Sequence, residues 1–271
     1  MTNAAHAEYA RIEAVNWSTL KLMGRSPAHY HHALLQPQED TTALRIGRAI
    51  HMAVFEPEKF ASCVARWEGG TRRGKDWDVF CADHKGMDIL TEAEHDLCLS
   101  VGQAVRIDAS AKQYVTGGRG ELTVRWNHHH EPSQTDIACK CRLDFVADAG
   151  VICDLKSTMD ASPGAFGRQA YRLGYHGQAA WYRDGYAAAT GRDLPVVIVA
   201  VEKQAPFAVK CYRVTEKQLQ LGRDMYRGHI DLLAHCRAHS DWPAYGPESD
   251  LELPAWASDD DEADNGDDLV F

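Results

Sequence analysis

The stretch "CRLDFVADAGVICDLKST", residues 141–158, decides how the rest of the chain is read. Apolar and polar residues alternate on both sides of a short "DAG" turn, which is the pattern of a β-hairpin. A turn centred on Ala149 sets Asp144 opposite Asp154 on one face, with Cβ atoms about 5 Å apart. Like charges so placed repel, so a cation belongs between them. Lys140 and Arg142 share the face of Asp144, whereas Cys139, Cys141, Leu143 and Phe145 point the other way. On the return strand Ile152, Asp154 and Lys156 share a face against Val151, Cys153 and Leu155. Two converging carboxylates are good ligands for Mg²⁺ or Mn²⁺, hard cations that take oxygen donors and retain water. Lys156, two residues beyond Asp154, then stands where a phosphate oxygen or a bound water would lie. That arrangement suits metal-assisted phosphodiester hydrolysis. Spacing alone leaves a second reading open, a salt-bridged exposed hairpin, because ion-pair networks imitate sites.

Working outward, "ELTVRW" alternates, with Glu121, Thr123 and Arg125 on one face and Leu122, Val124 and Trp126 on the other. The segment "NHHHEPSQT" reads as a polar loop, since neighbouring His128, His129 and His130 point in different directions and make a poor metal site. After the hairpin, "GAFGRQAYRL" and "YHGQAAWYRDGYAAATG" read as helices, the second stopped by Gly191. "LPVVIVAVEK" is a continuous apolar run typical of a central strand, and "FAVKCYRV" can pair with it across "QAP". A helix capped by Thr215 and Gln218 runs to about His235. The first hundred residues read as helical: Ser26 caps "PAHYHHALLQ", "DTTALRIGRAIHMAVF" follows, and Thr91 with Glu94 forms a capping box. Between them "EGGTRRGKDW" reads as an exposed basic loop. The order of elements predicts an α/β fold, a mixed sheet covered by helices with a helical N-terminal region. One domain is expected over residues 1–247, helical to about 115 and with its core over about 116–236.

The 271 residues carry a net charge of −10, yet the ten acidic residues from Glu248 onward, with no Lys or Arg among them, account for all of it. The remaining body is formally neutral and can carry a basic groove. Residues 248–271 read as a disordered acidic tail. There is no apolar run of membrane length and no signal-peptide pattern, so a cytoplasmic protein without membrane association is expected. Eight cysteines lack CxxC spacing and read as reduced, small buried hydrophobes.

"RLDFV" followed by "ICDLKST" resembles the D...(D/E)xK core of the PD-(D/E)XK nuclease superfamily. Further segments resemble its RecE-like (exonuclease VIII) branch in order: "SPAHYHHALL", "LRIGRAIHMAVFEPEKF", a Glu opening "ELTVRW", the core, "YHGQAAWYRDGY" and "PVVIVAVEKQAPFAV". The resemblance spans about residues 14–235 and implies a restriction-endonuclease-like fold. It implies that His51, Asp144, Asp154 and the Leu155 carbonyl hold Mg²⁺ or Mn²⁺, with Lys156 as the catalytic lysine. Glu121 matches an acidic position that approaches the metal through water, and Gln178 with Tyr182 matches the Q...Y motif of a helix beside the active site. Leu143 stands where many members have Pro. Arg72, Arg73 and Lys75 could help funnel DNA, the other reading being a solvated basic run.

The resemblance further implies an exodeoxyribonuclease that resects linear double-stranded DNA from its 5′ ends and leaves 3′ single strands for recombination of phage type. Such enzymes form homo-oligomeric rings, trimers or tetramers, and work beside a RecT-like single-strand annealing protein. The alternatives are a RecB-like or Cas4-like nuclease of other polarity or single-strand preference, and a non-catalytic DNA-binding scaffold. The tail "DDDEADNGDDLVF" loosely resembles the acidic tails by which bacterial single-stranded-DNA-binding proteins recruit partners.

Overall fold

The structure is a computed structural model and describes residues 8–36 and 39–253. Its helices are α1 (Pro27–Leu35), α2 (Thr42–Phe55), α3 (Pro57–Cys63), α4 (Lys75–Asp83), α5 (Glu92–Ile107), α6 (Pro163–Leu173), α7 (Tyr175–Thr190) and α8 (Glu216–His239), besides shorter helical turns. Its strands are β1 (Val64–Trp67), β2 (Asp88–Thr91), β3 (Gly118–His130), β4 (Thr135–Ala147), β5 (Val151–Thr158), β6 (Val196–Glu202) and β7 (Val209–Arg213). The last five form one mixed sheet in the order β3-β4-β5-β6-β7, antiparallel except for the parallel pair β5–β6. A parallel pair needs a long crossover, and here α6 and α7 make it, covering one sheet face.

The sequence-predicted caps are in place. Ser26 accepts from the His29 N–H, Thr91 and Thr215 form capping boxes with Glu94 and Gln218, and Gly191 ends α7 in the left-handed region. Each satisfies backbone groups that a helix end leaves unpaired. β6 is buried along almost its whole length because α7 and α8 cover one face of the sheet while α2 and α5 cover the other. Gly222 allows α8 to approach α7, since a Cβ there would lie 2.2 Å from the His176 carbonyl oxygen.

Several local expectations are corrected. The "helical" N-terminal region contains a small parallel sheet, β1–β2, whose four-residue strands are too short to show periodicity. His128–His130 lie inside β3 rather than in a loop, and Lys75 opens α4 instead of lying in a basic loop. α8 runs on to His239. Glu248–Leu253 have no regular structure, and the rest of the predicted disordered tail lies outside the described residues.

Arg48 of α2 ties the N-terminal helices to β2. It donates from Nε to the buried Asp88 at 3.0 Å and from Nη1 to Asp40 at 2.8 Å, and these partners hold its guanidinium above its ordinary pKa. Arg48→Met would strand a buried carboxylate, so it is expected to lower the free energy of unfolding by about 3 kcal/mol in urea titrations at neutral pH. A loss below about 1 kcal/mol would mean that Asp88 finds water instead.

Candidate active site

The predicted register of the hairpin holds: Phe145, Val146 and Ala147 pair with Cys153, Ile152 and Val151. The ladder stops there, however, and the two strands part. Beyond the fork the N-terminal segment takes the place of β5, with the Val15 N–H donating to the Ala138 carbonyl at 2.8 Å and the Lys140 N–H to the Val15 carbonyl at 2.7 Å.

Asp144 sits at this fork. Opposite it on β3, Glu121 takes a left-handed φ of 53°, uncommon for a residue with a Cβ, and the pair drops out of an otherwise continuous β3–β4 register. The alternation of β4 reverses across this point. Cys139, Cys141 and Leu143 pack on the α7–α8 side, whereas Phe145 and Ala147 pack on the α2–α5 side. Strict alternation had placed Leu143 and Phe145 together; the distortion at Asp144 separates them. As a result Phe145 stacks on Phe55 of α2, ring centroids 5.1 Å apart, and the Phe55 ring meets that of His51 edge-on. One backbone irregularity thus both frees Asp144 from the ladder and seats the helix that carries His51.

The Asp144 carboxylate accepts the Leu155 backbone N–H at 2.8 Å through Oδ2 and faces His51 Nδ1 at 3.6 Å through Oδ1, too long for a hydrogen bond. Asp154 is buried; its Oδ2 pairs with Lys156 Nζ at 2.7 Å, while its Oδ1 is buried without a hydrogen-bond partner. Burial, reinforced by Asp144 and opposed by Lys156, pushes the Asp154 pKa up to about 6. Burial works against the Lys156 cation, but the two carboxylates prevail and hold its pKa above the ordinary lysine value.

Glu121 is drawn to the same place. Its Oε2 lies 2.6 Å from Arg142 Nε, and burial followed by repulsion from Asp144 raises its pKa. Gln178 donates to the Tyr182 hydroxyl at 2.8 Å, and burial, then Asp144 and Asp154, push that phenol well above its ordinary pKa. α7 is fixed over β4 by the Trp181 indole N–H, which donates to the Lys140 carbonyl at 3.1 Å. The structure therefore gathers His51, Glu121, Asp144, Asp154, Leu155, Lys156, Gln178 and Tyr182 around the fork.

Other candidates lie elsewhere. The Lys140 ammonium donates to the Tyr9 and Ile12 carbonyls at 2.8 and 2.7 Å, away from the carboxylates. Arg72 is ion-paired with Glu94, and Arg73 and Lys75 are exposed. His129 pairs with Asp136 at 2.8 Å and His130 with Asp231 at 3.1 Å, so these rings do not converge. Two residues at the site were missed. The Tyr175 ring centroid lies 5.0 Å from Lys156 Nζ, and Lys21, on the turn Lys21–Gly24, has its pKa lowered by burial and then by Lys156. Tyr175 was legible, because it precedes Gln178 and Tyr182 by three and seven residues on one helical face; Lys21 gave no signal.

Among the described residues no three His, Cys, Asp or Glu side chains are drawn together as a closed metal cage. The donors nevertheless fit a hard divalent cation. Asp154 Oδ1 is buried and unpaired, a state that is destabilising until a donor or cation meets it, and the partly exposed Asp144 Oδ1 has the long approach of His51.

Residues 16–252 match the PDDEXK-like domain of unknown function (DUF3799). The chain belongs to this family. The five-stranded mixed sheet flanked by helices is the PDDEXK-like fold, and Asp144, Asp154 and Lys156 occupy its fork. The same fold is seen in the crystal structure of a "Putative exonuclease" from Eubacterium rectale, at 18% identity and a TM-score of 0.62 over 96% of both chains. A phage related exonuclease from Haemophilus somnus aligns over 80% of this chain and 94% of its own at 12% identity, but its TM-score of 0.33 is too low to bear on the argument. No curated protein matches the sequence. No helix among the described residues of this PDDEXK-like protein is long and apolar enough to cross a membrane.

Proposed function

We propose that this protein is a metal-dependent exodeoxyribonuclease of the RecE type that degrades linear double-stranded DNA from its 5′ ends. The observation that carries the reading is the buried, unpartnered Asp154 Oδ1, set beside Asp144 and followed by Leu155 and Lys156. A buried carboxylate oxygen without a donor is destabilising, and a divalent cation shared with Asp144 would satisfy it. Mg²⁺ or Mn²⁺ held by Asp144, Asp154, His51 and the Leu155 carbonyl would polarise the scissile phosphate and lower the pKa of a water.

The remaining work falls to the chain. Lys156, whose pKa the two carboxylates hold above the ordinary lysine value in the metal-free site, would hold a phosphate oxygen or orient the attacking water. In the reaction the water oxygen would bond to phosphorus and pass its proton to bulk solvent, while the bridging P–O bond breaks and the departing nucleotide oxygen takes a proton from solvent to leave as a hydroxyl. Tyr182 keeps its proton and, held by Gln178, presents a neutral hydroxyl toward the strand. Glu121, tied to Arg142, adds negative charge beside Asp144. A ring of copies that encloses the duplex and a single-strand annealing partner in recombination complete the proposal.

Linear duplexes labelled at the 5′ or the 3′ end, and covalently closed circles, each with Mg²⁺, Mn²⁺ or EDTA, test it. Metal-dependent release of 5′ label with circles intact is expected. Release of 3′ label first would shift the reading to the other polarity, and intact substrates throughout would leave a DNA-binding scaffold.

The raised Asp154 pKa adds a pH signature. Protons compete with the metal below about pH 6, so the apparent Mn²⁺ affinity, read from thermal stabilisation, is expected to fall as the pH drops from 7 to 5 and to level off above about 7. In EDTA the sign reverses: a carboxyl raised from 3.8 to about 6 in the folded state favours folding most below 3.8, and that contribution is lost as pH rises through 6. An Mn²⁺-induced shift that stays flat from pH 5 to 7 would remove Asp154 from the ligand set.

A further inference from the structure

We infer that a cleft behind Tyr175 receives the bases of a single DNA strand running away from the scissile phosphate. The link to that phosphate rests on the nuclease reading above; the cleft itself stands on its own geometry. α6, the start of α7, β6, β7 and α8 enclose about 280 Å³ lined by Phe166, Tyr171, Tyr175, His176, Tyr212 and Arg213, among others. This is room for a base or two and not for a duplex.

The lining offers flat aromatic faces. Phe166 is buried at the floor and stacks on Tyr212 with centroids 5.0 Å apart, and the Tyr212 hydroxyl is anchored on the Ala161 carbonyl at 2.6 Å. At the mouth Tyr171 is 76% exposed and lies parallel to His176, centroids 5.7 Å apart at an interplanar angle of 7°. A large aromatic left in water beside exposed Leu173 and Leu221 marks a surface that meets something. Tyr175 is the shared wall, because it lines the cleft and also approaches Lys156.

Charge selects the occupant. Arg213 lines the cleft, whose lining holds no Asp or Glu, and Arg168 and Arg172 of α6 are exposed outside that lining. Asp160, the acid that Tyr212 senses, is hydrogen-bonded to the Ser162 N–H at 2.8 Å. Aromatic faces for bases with guanidinium groups for the backbone are the recurring means of holding single strands without reading sequence. An acidic peptide would be served by the arginines but would leave the parallel ring pair unused.

The experiment uses the full chain in EDTA, so that binding is read without cleavage. A fluorescently labelled single strand of thymidylates is compared with an abasic strand of the same length, which keeps the phosphates and lacks the bases. The wild-type protein is expected to prefer the thymidylate strand by about tenfold; Tyr171→Ala should lose that preference and Tyr171→Phe keep it. Because Tyr171 is exposed, neither variant should unfold, and thermal scans verify that. Equal affinity of the wild-type protein for the two strands, no binding of either, or a preference that survives Tyr171→Ala would overturn the proposal. Failure of the nuclease reading would instead appear as the absence of metal-dependent cleavage, a separate measurement that leaves the binding comparison intact.

Discussion

Lys156→Met is expected to cut the rate of DNA cleavage by about 10³-fold while leaving the protein folded and still stabilised by Mn²⁺. The loss follows, on the proposed function, from the position of the ammonium, 2.7 Å from Asp154 Oδ2 at the end of the fork, where it would supply the charge that meets the phosphate. The retained metal response follows from the same geometry. Once the lysine is gone both Asp154 oxygens lack a partner, so the carboxylate becomes a better, not a poorer, place for a cation. In EDTA the variant should be less stable, by about 3 kcal/mol, because a buried carboxylate is then uncompensated, and Mn²⁺ should restore much of the difference. End-labelled duplex assays and thermal scans with and without Mn²⁺ check both halves. Cleavage within about tenfold of the wild-type rate would remove Lys156 from the chemistry.

Asp154→Asn is expected to abolish both the metal-induced stabilisation and the cleavage, the latter again by about 10³-fold or more. The substitution keeps the shape and removes the charge at the buried side-chain oxygen that, among the described residues, lacks a hydrogen-bond partner. Asp144→Asn should behave alike for a different local reason. Its amide oxygen can still accept the Leu155 N–H, so the splay of the strands survives, whereas Asp144→Ala would leave that N–H bare at a cost of about 1–3 kcal/mol. Relief of the repulsion between the two aspartates therefore does not make alanine a clean test, and asparagine is the better probe. If either asparagine variant kept its Mn²⁺ shift in Tm and cut at the wild-type rate, the assignment of these carboxylates would fail.

Much of this was legible in the chain. The hairpin register at Phe145–Cys153 came from turn position and strand period alone, although the ladder ends before the expected pair of Asp144 with Asp154, and β6 announced itself as a strand buried on both sides. The caps at Ser26, Thr91 and Thr215 did so too, because capping depends on residues only three apart. Gln178 and Tyr182 could be placed on one helical face by spacing, and Tyr175 belonged with them. The short strands β1 and β2 were not legible, since four residues carry too little pattern. Nor was Lys21, a lone lysine on a short turn whose nearness to Lys156 depends on how the first helices close over the sheet.

The sequence by itself determined the mixed sheet, its hairpin register and the face on which Asp154 and Lys156 stand, because alternation, turn chemistry and capping act over a few residues. What only the tertiary structure decided is the fork. Local period carries Leu143 and Phe145 to the same side, yet the left-handed Glu121 and the exit of Asp144 from the ladder send them to opposite cores. That reversal is held by contacts between residues far apart in sequence: Phe145 against Phe55, Asp144 with Leu155, and Val15 in place of β5. Non-local packing outweighs the two-residue period at one position, and the free carboxylate oxygens of the site exist because it does.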